Sequence, residues 1–442
     1  MRRKKVIILG AAGRDFHDFN ILFRDNREFE VVAFTANQIP FIANRLYPPV
    51  LSGKLYPNGI PIFDESDLPN LIKKFEADVC VQAYSDLKYI DVMHKSSIAN
   101  SNGADFWIIS PERTMIRSKR PVIAICAVRT GSGKSQTSRY VSKYLRSMGM
   151  KVVIIRHPMP YGILKDEIVE RFEKLEDLDK NKCTLEERED YEPHIRNGFL
   201  LFAGVDYKKV LEAAEKEADV ILWDGGNNDA PFISPDLLIT IADPLRAGDE
   251  SLYYPSEAVA RITDAFVVNK VNSAKKKDVE KCVCGLRSLN NNAIIVYANS
   301  TVTADNPDII KGSRALIIED GPTITHGGMP FGAGTVAAKK YHARRIVEAK
   351  KYAVGTLEDT FKKYPKLLYE LPAMGYSRRQ LDDLQETINN AVCDIVISAT
   401  PTKIKNLLKV NKPIVQVDYE LSPIGKKLDY ILEKFIKKIK RV

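Results

Sequence analysis

The stretch Val122-Ile-Ala-Ile-Cys-Ala-Val-Arg-Thr-Gly-Ser-Gly-Lys-Ser-Gln-Thr137 decides the fold. An apolar, β-branched run feeds a Gly-rich turn. The turn ends in Lys134 and Ser135, and helix-forming residues follow. That order predicts the strand, loop and helix of a phosphate-binding P-loop. Gly131 and Gly133 lack Cβ atoms, so backbone N–H groups can close on phosphate oxygens. Thr130, Gly131, Ser132, Gly133, Lys134, Ser135 and Gln136 are the candidate nucleotide-binding residues. Lys134 is expected to reach the outer phosphates and the Ser135 hydroxyl to complete a Mg²⁺ shell. The helix beginning near Ser135 would aim its positive end at the same anion.

The pattern GxxxxGK[ST] asks for glycine where Val128 stands. The variant KGGxGK[ST] fits better, because Arg129 supplies a basic residue five positions before Lys134. The segment Arg129 to Ser135 thus resembles the loop of the signal-recognition and MinD class of P-loop proteins. Two later segments agree with it. Ala218-Asp-Val-Ile-Leu-Trp-Asp-Gly-Gly-Asn-Asn-Asp229 reads as a strand ending in Asp224, whose carboxylate could bind Mg²⁺ or its water shell. Ala265-Phe-Val-Val-Asn-Lys-Val-Asn272 resembles the guanine-reading NKxD element. Asn269 and Lys270 fit, but Asn272 replaces the aspartate, and an amide accepts only through one oxygen. A base near Asn269 and Lys270 is expected, with ATP or GTP left open. Tyr297-Ala-Asn-Ser is a candidate for a further base-contacting loop.

With 442 residues and 45% hydrophobic content, the chain can bury several cores. No apolar run approaches the ~18 residues that cross a bilayer. The basic start Met1-Arg-Arg-Lys-Lys precedes an apolar run too short for a signal peptide, so a cytoplasmic protein is expected. Six scattered cysteines read as small buried hydrophobes, and Cys282-Val-Cys284 is spaced too closely for an ordinary zinc pair. Net charge is +9. Its spread suits polyphosphorylated substrates better than a nucleic-acid surface. Tyr430, Ile431, Phe435 and Ile439 recur at helical spacing, predicting a terminal surface helix with its lysines in solvent.

The fold class expected is α/β: a Rossmann-like domain over 1–118, a P-loop NTPase domain with a parallel sheet over 119–300, and a C-terminal α/β domain over 301–442. The runs at 5–10, 30–34, 78–83 and 106–110 read as strands of the first unit. Its Gly10-Ala-Ala-Gly13 turn either holds an anion or merely turns. Arg14, Asp15 and His17 follow it at the ligand-binding end of such a sheet. In the second unit, Lys151 to Arg156 is a strand leading into His157-Pro-Met-Pro-Tyr-Gly162. Arg156 could point at transferred phosphate, and His157 could be an acid/base or a phosphate ligand. The carboxylates of Glu186-Glu-Arg-Glu-Asp-Tyr-Glu-Pro-His194 read as a solvated helix face. Arg246 is a further candidate phosphate arginine. In the third unit, Glu319-Asp-Gly-Pro-Thr-Ile-Thr-His-Gly-Gly328 concentrates chemistry, and its glycines with Gly332 and Gly334 imply close backbone approach to something.

Those segments, with Gly10 to His17, Lys119 to Ala124, Ala127 to Thr137, Arg156 to Gly162 and Asp224 to Asp229, resemble the family of predicted GTPases and cyclic 2,3-diphosphoglycerate synthetase-like proteins. The resemblance covers nearly the whole chain. It implies a Mg²⁺- and nucleotide-dependent enzyme that closes an intramolecular phosphoanhydride on a small phosphorylated acid such as 2,3-diphosphoglycerate. On that reading Lys134, Arg129, Asp224, Arg156, His157 and His326 form the catalytic set, and Ser135 and Asp224 hold the metal. A homo-oligomer is left open, and neither a membrane nor nucleic acid is expected as partner. A regulatory or metallochaperone-type GTPase switch is the alternative.

Overall fold

Val122–Ala127 is buried along its whole length. A strand with no polar face belongs inside a parallel sheet covered on both sides. In the computed structural model, which describes residues 2–37, 42–157, 159, 162–325, 327–373, 375 and 377–440, it lies between Val220–Asp224 and Leu237–Ala242, parallel to both. On one side the sheet continues through Val152–Arg156 and Leu200–Ala203 to the antiparallel edge Glu170–Phe172. On the other it passes through Ala265–Val268 to Ile294–Ala304.

Ile294–Ala304 changes partner midway. Its first residues pair parallel with Ala265–Val268, while Ala298 to Ala304 pair antiparallel with Val417 to Pro423. Through this strand the sheet runs on into Ile414–Pro423, Ile395–Ala399 and Arg314–Asp320, with 13 strands in one sheet. The boundary placed at 300 therefore falls inside a strand, and the second and third units share one hydrogen-bonded scaffold.

The first unit has its own 6-stranded sheet. Lys4–Leu9 sits between Phe29–Ala36 and Val79–Gln82, parallel to each. Both neighbours follow it in sequence, so the chain leaves it in opposite directions. The carboxyl end of Lys4–Leu9 is thus a topological switch point, where α/β folds open a crevice. Several contacts tie this unit to the rest of the protein. Leu87–Lys88 pairs antiparallel with Tyr253–Tyr254. Ile116 bridges Ile233. The helix Gly13–Asp18 buries all six of its residues.

Two clusters cover the central sheet. Ile123, Ile125, Val141 and Leu145 meet Leu428, Leu432 and Phe435 on one face. Val122, Ala124, Trp223 and Phe232 pack on the other. The terminal helix Lys427–Ile439 therefore docks on the P-loop helix Lys134–Ser147, where the Tyr140 hydroxyl donates to Asp429 at 2.6 Å. Its buried stripe is Leu428, Ile431, Leu432, Phe435 and Ile436. Tyr430, expected in that stripe, is 63% exposed, because the register that buries Ile431 turns residue 430 outward.

Candidate active site

The P-loop turns on two glycines in the left-handed region, Gly131 at φ +78° and Gly133 at φ +111°. A Cβ on Gly133 would fall 2.0 Å from Asn269 Nδ2. Asn269 reaches in because its amide donates to the Ser132 carbonyl at 3.0 Å. Lys270 Nζ donates to the Gly131 carbonyl at 2.6 Å and pairs with Asp243 at 2.8 Å. Arg246 joins this clamp, donating to Ser132 Oγ at 3.2 Å and pairing with Asp243 at 3.1 Å. Asn269, Lys270 and Arg246 thus brace the loop from behind. Asn272 exchanges hydrogen bonds with the Ser300 backbone in both directions, each at 3.1 Å. That explains an amide there: it needs a donor and an acceptor together.

Asp224 ends its strand fully buried. Its Oδ1 lies 3.0 Å from Lys134 Nζ and 3.0 Å from an Arg156 nitrogen, and its Oδ2 lies 3.0 Å from His194 Nε2. Burial pushes this carboxyl up, but Arg156 and Lys134 outweigh it and hold the group well below the usual range. Lys134 also donates to the Gly225 carbonyl. Arg156 pairs with Asp190 from the helix Leu185–Arg196.

Arg129 is placed differently from its expected role. Its guanidinium holds Asp86 of the first unit at 2.8 Å and Asp249 at 2.8 Å, donates to the Gly327 carbonyl at 3.1 Å, and lies 3.4 Å above the Tyr253 ring. It joins all three units. Thr130 adds a second tie to the first unit, donating to Asp86 at 2.7 Å.

His157 stands between two glycines from different units. A Cβ on Gly13 would meet its Nε2 at 2.0 Å, and one on Gly226 its ring at 2.7 Å. Its Nε2 is 3.6 Å from Asp229. Asp229 is buried beside Arg14, and burial raises its carboxyl to about 6 against that arginine. Arg14 borders the crevice but its charge is taken up behind it, and His17 does not line it. Arg14 lies over Phe232 and donates to the Ala230 carbonyl. His17 stacks on Phe232 at 4.5 Å and donates to the Thr114 carbonyl at 2.7 Å. Asp15 does line the crevice, folding back to accept from the Ala12 N–H at 2.6 Å.

One cavity of about 720 Å³ joins these parts. Lys134, Ser135, Arg156 and His157 line it from the central unit, Asp15 from the first, and Asp320 and Thr323 from the third. Hard-oxygen chemistry suits Mg²⁺ at Ser135. Asp224 does not line the cavity and has both oxygens engaged, so direct ligation there requires Lys134 and Arg156 to release Oδ1. Among the described residues no group of three or more His, Cys, Asp or Glu forms a metal cage. A Mg²⁺ ion held largely by phosphates and water needs none.

The acidic helix is the main departure from the sequence reading. Glu187, Glu189, Glu192 and His194 are buried, not solvated. Glu187 caps the helix through Thr184, Glu192 pairs with Arg196, and His194 grips Asp224. Glu186, Glu189 and Asp190 line the cavity. Sequence reasoning passed over Glu189, Asp190 and His194. The signal was present: Glu186, Asp190 and His194 recur every four residues on one helix face. The glycines at 332 and 334 also find their partner. Both would put a Cβ against Glu319, which accepts from the N–H groups of Gly332, Gly334 and Thr335 at 3.1, 3.2 and 2.9 Å. His326 lies outside the described residues.

No protein-family model matches the chain. LpxK from Aquifex aeolicus, solved in complex with ATP, is 13% identical over 84% of this chain and 99% of its own, at a TM-score of 0.44. MinD from the same organism is 17% identical over 40% of this chain and 82% of its own, at 0.24. Those scores fall short of one half, so the fold stands on the chain's own sheet order. No helix among the described residues is long and apolar enough to cross a membrane. The sequence comparison reaches further: the arginine synthetase ArcE of Thermococcus kodakarensis is 54% identical over all 442 residues, which span 99% of that protein. An identity of that extent, from end to end, places the chain in the arginine synthetase ArcE family.

Proposed function

We propose that the protein is an NTP-dependent ligase that forms the guanidinium of arginine. The observation that carries this reading is the cavity's polarity. A cationic P-loop end, Lys134 with Arg156, faces an acidic wall of Glu186, Glu189, Asp190 and Asp320. A triphosphate suits the first and a nascent cation the second. The name of the 54% identical relative supports the same product.

A guanidinium can be built by replacing a ureido oxygen with nitrogen. That oxygen is a poor leaving group until phosphorylated. It attacks the γ-phosphorus and NDP departs; a nitrogen nucleophile then adds to the activated carbon and phosphate leaves. The balance is NTP to NDP and phosphate, with one proton released from the nitrogen. Lys134 and the loop amides would hold the β- and γ-phosphates, and Arg156 would stabilise charge on the transferred group. Ser135 would hold Mg²⁺, which when bound neutralises phosphate charge. His157, 3.6 Å from Asp229, would accept a proton from the nitrogen.

Closing a phosphoanhydride on 2,3-diphosphoglycerate would put a polyanion against the same acidic wall, which disfavours the cyclising reading. The test is NDP release with ATP and GTP separately, with the ureido counterpart of arginine plus ammonium, or with 2,3-diphosphoglycerate. Arginine appearing in step with phosphate supports the ligase. Stimulation by the glycerate compound alone overturns it, and equal basal GTP hydrolysis throughout favours the switch.

A further inference from the structure

We propose that Glu189 and Asp320 form a guanidinium subsite, two carboxyls that share a proton until a cation takes its place. Glu189 comes from the helix Leu185–Arg196 and Asp320 from the end of the strand Arg314–Asp320. Their side chains are hydrogen-bonded to each other. Two carboxyls can meet this way only through a proton. Asp320 also accepts from the Thr323 N–H at 3.2 Å, which favours Asp320 as the acceptor and Glu189 as the carrier of the hydrogen.

A second observation points to a ligand. Glu189 is 6% exposed, it lines the cavity, and its Oε1 has no hydrogen-bond partner. A buried acceptor left unpaired costs about 1–3 kcal/mol. A cation donating two N–H bonds would satisfy that oxygen and replace the shared proton. The surroundings are one-sided. Glu186 and Asp190 face Glu189 from its own helix, and Asp320 from the neighbouring strand. Tyr419 from Ile414–Pro423 lines the same cavity. Arg139 on the P-loop helix is turned to the Tyr419 carbonyl at 3.0 Å, and Arg156 is paired with Asp190. Neither arginine is placed against the Glu189–Asp320 pair. Burial and these like charges push Glu189 well above the usual carboxylate range.

The identity of the cation as a guanidinium rests on the arginine-forming reading. Under that reading the pair also resolves a charge problem. The ureido substrate is neutral and the product is a cation. Holding one proton, the pair carries a single negative charge beside the neutral substrate; losing that proton to solvent gives it a second, which matches the positive charge the product gains.

The test is calorimetric titration near pH 7 with arginine, and separately with methylguanidinium, in two buffers of different ionisation enthalpy. Binding to the wild type should release close to one proton per cation. Glu189→Gln and Asp320→Asn should each weaken cation binding at least tenfold and abolish the release, while ATP affinity measured on the same samples certifies the fold. Unchanged cation affinity in both variants, no proton release from the wild type, or no binding of either cation overturns the subsite. Arginine formation, assayed separately, reports on the ligase reading. Proton-linked methylguanidinium binding without arginine synthesis would sink that reading and keep the subsite.

Discussion

Arg129→Met separates two jobs that one arginine could perform. Placed five residues before Lys134, Arg129 is expected from sequence to neutralise transferred phosphate. The structure has its charge taken up by Asp86 and Asp249, each at 2.8 Å, with the Asp86 side chain 1% exposed. Removing one member of a buried pair strands the other, at about 3–5 kcal/mol. At about 2.1 cal/mol/K per residue, the 442-residue chain has an unfolding entropy near 0.9 kcal/mol/K if it unfolds as one unit. The expected fall in Tm is then about 3–5 °C by scanning calorimetry. Asp86→Asn in the Arg129→Met background removes the stranded charge and should recover part of that loss, with a coupling of about 1–3 kcal/mol. NDP release should fall and recover with Tm, because the loss works through the docking of the first unit. The hub assignment fails if Tm is unchanged while NDP release drops a hundredfold and Asp86→Asn rescues neither.

Lys134→Ala should lower NDP release by about 10²–10³-fold, with an unaltered circular dichroism spectrum, because Asp224 keeps Arg156 and His194; near-normal turnover would reject the P-loop assignment. Gly133→Ala places a Cβ 2.0 Å from Asn269 Nδ2 at φ +111°. It should weaken binding of a fluorescent ATP analogue at least tenfold, and a wild-type Kd would show that the Asn269 clamp is dispensable. His17 is buried neutral, its folded pKa lowered by burial and by Arg14 to about 3, against 6.5 for a free imidazole. The unfolded chain takes that proton first, so the stability His17 contributes is full above pH 6.5 and declines as pH falls toward 3. Glutamine can keep the bond to the Thr114 carbonyl without titrating. The stability difference between wild type and His17→Gln, read from urea midpoints at pH 7, 5.5 and 4, should therefore move in the variant's favour as pH drops; a constant difference would exclude a buried neutral imidazole.

What could be read before the structure was whatever depends on local order. The P-loop, the strands of the first unit and the strand ending in Asp224 are each contiguous, with period and turn chemistry in one window. The acidic helix was misread for a related reason. Charge density in a window says nothing of what covers it, and Glu189 is buried beside Asp320, more than a hundred residues away. Arg129 and Lys270 have ion partners that were equally hidden. Their residue types are those of phosphate and base contacts, but their partners, Asp86 and Asp243, are set by how loops at one sheet edge converge. What lies at the boundary expected at 300 was hidden in the same way. In the fold that position falls where Ile294–Ala304 leaves one strand partner for another.

That shared strand bears on how the two ends of the cavity communicate. The P-loop and the strand leading to Asp320 belong to one sheet, so their spacing is set by hydrogen-bonded backbone and not by a hinge. Arg156 links the acidic helix to the nucleotide end. Arg156 holds Asp224 with one nitrogen and Asp190 with another. Lys134 shares Asp224 with it and also donates to the Gly225 carbonyl. A triphosphate competes for Lys134 against both. As Lys134 turns to phosphate, Asp224 retains Arg156 and His194 as its cationic and hydrogen-bonding partners, and both run to the helix Leu185–Arg196. Occupancy at the cationic end therefore tightens the attachment of the helix that carries Glu189. By linkage, a cation seated between Glu189 and Asp320 must favour the triphosphate by the same free energy. Any such coupling between the two ends of the cavity would run through a single arginine, which touches both Asp224 and Asp190 and lies 2% exposed between them.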